Sequence, residues 1–353
     1  MDDGIDGIVI GPSGQCGMCD ANDRHAANPP DLDHIFATAK YDGRGRQYDA
    51  IMGISGGLDS SYLTILAQSY HLRLLLVHFD NHFNTATADE NMARLVAHTG
   101  YPFMRFAPDA GEYARICSKL IATGLPDADI ANDLGMAKLV LDIARQTGTK
   151  WILNGHNYQY EGWNPIGWTY MDGRYLRSIA GHVPEYMDYG LIEQFTAGVK
   201  HARPFYAMPD LRKEAMAATC TSSFGWQSYG AKHCENEYTE WVGAVYLPKR
   251  HGIDKRRNYL SADIRCGRIT REEAISALRE DMTFCPKKME RVATGLGFDN
   301  AEEFVKFYES VPANNNRERF ESYRPSLRRF WPLVWAAAKL DLVPEAFYRK
   351  YCK

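Results

Sequence analysis

The stretch Gly53-Ile54-Ser55-Gly56-Gly57-Leu58-Asp59-Ser60-Ser61 decides how the rest of the chain is read. An apolar run, residues 48–54, leads into it, and residues 60–69 leave it with helical periodicity. A strand, a glycine turn and a helix in that order let backbone N–H groups approach an anion, and the helix N-terminus adds positive potential. Gly53, Gly56 and Gly57 supply the turn; Ser55, Ser60 and Ser61 supply hydroxyl donors. The loop carries no lysine, so it is not the Walker loop, in which a lysine reaches the β and γ phosphates. A plain glycine turn capping a helix, with Asp59 as an exposed first-turn acid, is the bland alternative.

Outward from this loop the texture alternates. Residues 72–79 and 102–106 read as further strands, residues 87–99 and 131–147 as helices, and residues 151–154 as a fourth strand running into Gly155-His156-Asn157. Strands alternating with helices at this spacing predict a parallel α/β sheet with helices on both faces. Ligands bind such sheets at the carboxyl ends of the strands. There stand the phosphate loop, His78 and Asp80 after the second strand, and Gly155 and His156 after the fourth. Residues 1–45 read as a loop-rich appendage, 46–207 as the sheet domain, and 208–353 as a mainly helical region. In the last, Thr270 and Glu273 form a capping pair for a helix over 271–280, and residues 328–351 read as a helix with Trp331, Trp335 and Phe347.

The form Ser-Gly-Gly-x-Asp-Ser matches the PP-loop of the ATP pyrophosphatases, an adenine nucleotide alpha hydrolase type of fold that cleaves between the α and β phosphates. From near residue 8 to its end the chain resembles one branch, the N-acetyl sugar amidotransferases. These turn an acetamido group into an acetamidino group on sugars of bacterial surface polysaccharides. The resemblance rests on the loop, His78-Phe79-Asp80-Asn81, Leu125-Pro126-Asp127, and Asn154-Gly155-His156-Asn157 with Glu161. It continues through Phe224–His233 with Glu235, Leu247-Pro248-Lys249, residues 253–257, Leu260-Ser261, and Gly267–Ala274. It implies ATP and Mg2+ as cosubstrates, and ATP contacts from Gly53, Ser55, Gly56, Gly57, Asp59, Ser60, Ser61, His78, Asp80 and Gly155. Asn157, Glu161, Trp226, Tyr229, Lys232, His233, Arg256 and Arg257 would face a small polar substrate.

Two departures from that branch matter. Its members begin with two Cys-x-x-Cys pairs, and this chain keeps one, Cys16 and Cys19. Two thiolates are half of a tetrahedral zinc site, which His25, His34 or Cys285 would complete; a vestigial pair without metal is the alternative. Cys117 stands where the branch is expected to have glutamine. PP-loop enzymes that thiolate transfer RNA carry a cysteine in a similar place. Cys117 therefore reads as a sulfur carrier, with a buried structural thiol as the bland alternative. Cys220 and Cys234 flank the Trp226–His233 stretch, where either would resolve a persulfide.

With 353 residues, 45% apolar and 24% charged, the chain reads as an ordinary globular protein. A net charge of -3 gives no reason to expect nucleic acid, and no apolar run approaches a membrane span. Eight scattered cysteines and no visible export signal suggest the cytoplasm. The expectation is therefore adenylation of an amide or lactam oxygen, with Cys117, Asp59 and His156 as the catalytic residues. Sulfur from a cysteine desulfurase would then replace the oxygen, giving a thioamide or thiolactam such as a thiolated oxopurine. The alternative is ammonia from a glutaminase subunit, giving an acetamidino sugar. A third reading is a nucleotide-binding sensor without catalysis. A homo-oligomer is compatible with all three.

Overall fold

The computed structural model describes residue 5, residues 8–162, 165, 168–190, 193, 197–339, 348 and 351–352, with backbone alone at 21, 25 and 339. Two helices come first, α1 (Gly17–Ala27) and α2 (Leu32–Asp42). Strand β1 (Ala50–Gly53) leads into α3 (Leu58–Ser69), β2 (Leu74–Phe79) into α4 (Ala86–Thr99), and β3 (Phe103–Phe106) into α5 (Ala110–Ala122) and α6 (Ile130–Thr147). Then follow β4 (Trp151–Leu153), α7 (Tyr158–Glu161), α8 (Gly173–Ala180) and β5 (Lys200–Ala202). The five strands form one sheet in the order β3-β2-β1-β4-β5, every neighbouring pair parallel. Strand order therefore reverses between β1 and β4, and the crevice this opens lies at their carboxyl ends.

Alternation along the strands builds two cores. Ile51, Leu75, Val77, Phe79 and Ile152 face one side, against α5, α6 and the C-terminal helices. Ala50, Met52, Leu74, Leu76 and Leu153 face the other, against α2, α3, α4 and the helix Lys213–Phe224. With helices on both faces, β2 is buried along its whole length, as a central parallel strand must be.

Three features differ from the sequence reading. The first stretch is not loop-rich. Asp31 caps α2 by accepting from the His34 amide at 3.2 Å, and Phe36 and Ala39 are buried against the sheet. The edge strand β5 went unread because only Ala202 of its three residues is buried. The last stretch is broken into Arg324–Arg329 and Trp331–Lys339 rather than one helix, and Phe347 lies outside the described residues. The capping box of Thr270 and Glu273 opens the helix Arg271–Arg279. Among the described residues no helix is long and apolar enough to cross a membrane.

Candidate active site

The turn after β1 holds itself open. The Gly57 amide donates to Ser55 Oγ at 3.3 Å, and the Ser60 hydroxyl donates to the Gly57 carbonyl at 3.2 Å. Gly56 has a φ of 74°, and a Cβ there would meet the Ala88 carbonyl oxygen of α4 at 2.2 Å, so the position admits only glycine. Gly57 itself offers α3 no side-chain cap, and the Tyr229 hydroxyl stands against the Leu58 amide. Gly155 brings the end of β4 against the start of α3: its own Cβ would sit 3.6 Å from the Ser60 nitrogen.

A second layer fixes the turn from behind. Trp226 Nε1 and Asn91 Nδ2 both donate to the Gly56 carbonyl at 3.2 Å. Asn91 also grips the Gln227 backbone, donating to its carbonyl at 2.8 Å and accepting from its amide at 2.9 Å. His78 donates from Nδ1 to the Ile54 carbonyl at 2.8 Å and accepts from Asn84 Nδ2 at 2.7 Å. Burial lowers the His78 pKa and so favours the neutral ring this arrangement needs.

The segment after the helix Lys213–Phe224 then crosses over the crevice. Lys232 Nζ bridges Asp59 Oδ2 at 3.3 Å and Glu161 Oε1 at 3.0 Å. Burial works against the ammonium, but Glu161 and Asp59 outweigh it and raise its pKa. Burial also raises Asp59, against the pull of Lys232. His156 Nε2 lies 3.3 Å from Glu161 Oε2, and its Nδ1 lies 3.0 Å from the Tyr206 hydroxyl. Burial, then Arg203 and Lys232, push His156 down to about 3, so the ring is neutral. A carboxylate only accepts, so the proton sits on Nε2 and Tyr206 donates to Nδ1. Tyr229 places its hydroxyl 3.1 Å from where a Cβ of Gly57 would be. His233 is in the left-handed region at φ 64° and packs on Tyr259 with ring centres 6.0 Å apart. Such a backbone in a non-glycine residue is a strained one that its surroundings must hold in place.

The segment ends by docking on the loop after β2. The Thr85 amide donates to the Glu235 carbonyl at 2.9 Å, and the Glu237 amide to the Phe83 carbonyl at 2.8 Å, around a bridge between Asn84 and Asn236. Asn236 Nδ2 donates to Asn81 Oδ1 at 2.6 Å. Glu235 is thereby carried to the phosphate loop.

Asp59, Gly155, His156, Glu161, Tyr229, Lys232 and His233 thus lie together at the crevice. Several other candidates do not. Cys117 is fully buried on α5, and burial with Asp129 pushes its thiol up to about 12. Such a thiol is inaccessible, and burial favours its un-ionised form, which weighs against the expected sulfur carrier. Cys220 is also fully buried and pushed up to about 12; Cys234 is raised to about 11.

Ser61 is wholly buried and its hydroxyl has no hydrogen-bond partner among the described residues, and Gly53 packs on Met136. Asp80 spends its carboxylate on Arg105, at 2.7 Å, and on the His82 amide, and His78 supports the loop rather than facing it. Asn157 is buried and caps α7 through the Gln159 amide. Trp226 is a brace under the turn rather than a stacking platform. Arg256 is held by Asp254 at 2.8 Å and by the Ala277 and Glu280 carbonyls, and Arg257 stands beside it on the helix Arg256–Arg265.

Cys16 and Cys19 hold their sulfurs 3.7 Å apart, and burial together with Cys16 raises the Cys19 thiol. The side chain of His25 lies outside the described residues, and among these no third donor completes a metal group. Asp127, from another of the quoted motifs, is structural: Arg317, the Tyr175 hydroxyl and the Tyr170 amide all bond to it.

The sequence reading missed Asn91, Tyr206 and Arg203. Nothing in local pattern marks them, because each acts across the fold. Glu235 was visible only as the last residue of a quoted stretch.

Residues 235–334 match the family model described as the LPS biosynthesis protein WbpG-like, C-terminal domain. No curated protein matches the sequence. Among solved structures, the chain is similar to an NH3-dependent NAD synthetase from Campylobacter jejuni at 10% identity and a TM-score of 0.34, covering 66% of this chain and 94% of that one. It is also similar to an NMN synthetase from Francisella tularensis at 13% identity and a TM-score of 0.30, covering 60% and 98%. The C-terminal stretch is thus similar to a WbpG-like C-terminal domain, and it follows a Ser-Gly-Gly-Leu-Asp-Ser turn set at the reversal of a parallel sheet.

Proposed function

We propose that the protein uses ATP to activate an acetamido oxygen on a sugar and replaces that oxygen with nitrogen from ammonia. At the coarser level it is a PP-loop, ATP-utilising enzyme of the amidotransferase or synthetase kind. MgATP is a substrate here. Its phosphates fit the first amides of α3, with Tyr229 turning aside. The amide oxygen attacks the α phosphorus and expels pyrophosphate, leaving an O-adenylyl imidate. Ammonia adds to the imidate carbon, and the C–O bond to AMP breaks. AMP is a far better leaving group than oxide. Lys232, freed from Asp59 or Glu161 as the phosphates arrive, supplies positive charge where negative charge develops. Neutral His156, its Nε2–H held by Glu161 and its Nδ1 by the Tyr206 hydroxyl, fixes Glu161 beside Lys232.

One observation carries nitrogen over sulfur: the burial of Cys117, seconded by the raised thiols of Cys220 and Cys234. The LPS biosynthesis description of the C-terminal match supports a sugar substrate. A glutaminase subunit is the proposed source of ammonia. To test the reading, nitrogen-labelled ammonium and sulfide are offered in competition with MgATP and a panel of N-acetylated amino sugars. Labelled nitrogen in the product, with AMP and pyrophosphate, is expected. A sulfur-bearing product, or ADP and phosphate, would refute it.

A further inference from the structure

We infer that Glu235 takes a proton from ammonium beside the phosphate loop and so delivers ammonia to the adenylated carbon. This deepens the nitrogen reading and rests on it. The first residue of the matched C-terminal domain is also the one that the bridge to residues 83–85 sets against the turn. Its Oε1 lies 3.5 Å from where a Cβ of Gly57 would be and 3.9 Å from His233 Nδ1. Its Oε2 is buried and has no hydrogen-bond partner among the described residues. A buried carboxylate oxygen without a donor is costly, so this atom is set for a donor that the described residues do not supply.

The surroundings select the donor. Asp59 from α3 and Glu161 from α7 lie near enough to disfavour a second anion, while Lys232 favours it. Neutral His233, the Tyr229 and Tyr259 hydroxyls and the raised Cys234 thiol complete the wall. Burial outweighs Lys232 and pushes Glu235 up to about 7, the range that suits a proton acceptor at neutral pH. Ammonium is a small cation with several N–H donors, and it both pairs with the carboxylate and satisfies Oε2.

The transfer balances. An N–H bond of ammonium breaks and an O–H bond forms on Glu235, with the electron pair left on nitrogen. That pair attacks the imidate carbon, AMP departs with the C–O pair, and Glu235 returns its proton to solvent.

The test uses the full chain with MgATP, ammonium chloride and the N-acetylated sugar on which the unmodified protein turns over. In Glu235→Gln the pyrophosphate burst without ammonium should persist. Amidine formation at neutral pH should fall about a hundredfold, the scale of a lost general base. It should recover as pH rises and free ammonia accumulates, and Glu235→Asp should restore part of the neutral rate. Equal loss of the burst would assign Glu235 to nucleotide binding and overturn the inference, as would an unchanged ammonium-dependent rate. If the unmodified protein releases pyrophosphate but takes no nitrogen from ammonium, the nitrogen reading itself fails, and this inference with it.

Discussion

Asn91→Leu tests whether the phosphate loop is shaped by its braces. Asn91 is fully buried on α4 and makes three hydrogen bonds, one to Gly56 and two to Gln227. Leucine keeps the volume and makes none. Each bond contributes about 1 kcal/mol net, and the new methyl groups in a buried site return part of the loss, so the variant should lose about 2 kcal/mol. Trp226 still holds the Gly56 carbonyl, so the turn should loosen rather than collapse. If that loss falls on the loop, the competent shape is depopulated and KM for ATP should rise about thirtyfold. Urea unfolding gives the stability, and pyrophosphate release against ATP concentration gives KM. A variant that loses stability but keeps the original KM would show that the loop holds its shape alone.

Gly56→Ala should abolish ATP binding by calorimetry, because a left-handed backbone costs about 1–2 kcal/mol and the Ala88 carbonyl must also move. Cys117→Ser should keep turnover and lose about 1 kcal/mol of stability; loss of product with ATP binding intact would revive the sulfur carrier. Arg317→Met leaves the buried Asp127 carboxylate unpaired and should cost about 3–5 kcal/mol by urea unfolding. His156 has a folded pKa of about 3 against 6.5 unfolded. Above 6.5 neither state binds its proton, and as pH falls from 6.5 towards 3 only the unfolded state does, so stability drops. His156→Gln should flatten that part of the urea-midpoint profile, and an unchanged slope would contradict the burial argument.

The sheet was legible because hydrophobic periodicity reports burial directly. Residues 72–79 contain β2, which is buried on both faces, whereas β5 has one buried residue and leaves no pattern. The glycine turn was legible because only glycine tolerates φ 74° against α4. Cys117 misled because a thiol's chemistry depends on its surroundings. The 13-residue amphipathic helix α5 places it among Tyr113, Ile116 and Leu120 rather than at a strand end. Trp226 and Asn157 stand near the crevice, but their hydrogen bonds go to the protein's own backbone. Trp226 Nε1 and Asn157 Oδ1 turn inward to backbone groups, a choice made by a tertiary contact 170 residues apart in one case and by a local cap in the other.

The bridge between residues 83–85 and 235–237 bears on how this chain could have been assembled from parts. A recombination that exchanged the C-terminal domain at residue 235 would carry off Glu235 and strip the loop after β2 of its partners. The turn after β1 would then lose a neighbouring carboxylate, and the loop after β2 would expose its unpaired main-chain groups to water. Any viable graft must therefore bring a matching backbone segment for residues 83–85. Inheritance of the two halves is tied together by a few main-chain hydrogen bonds.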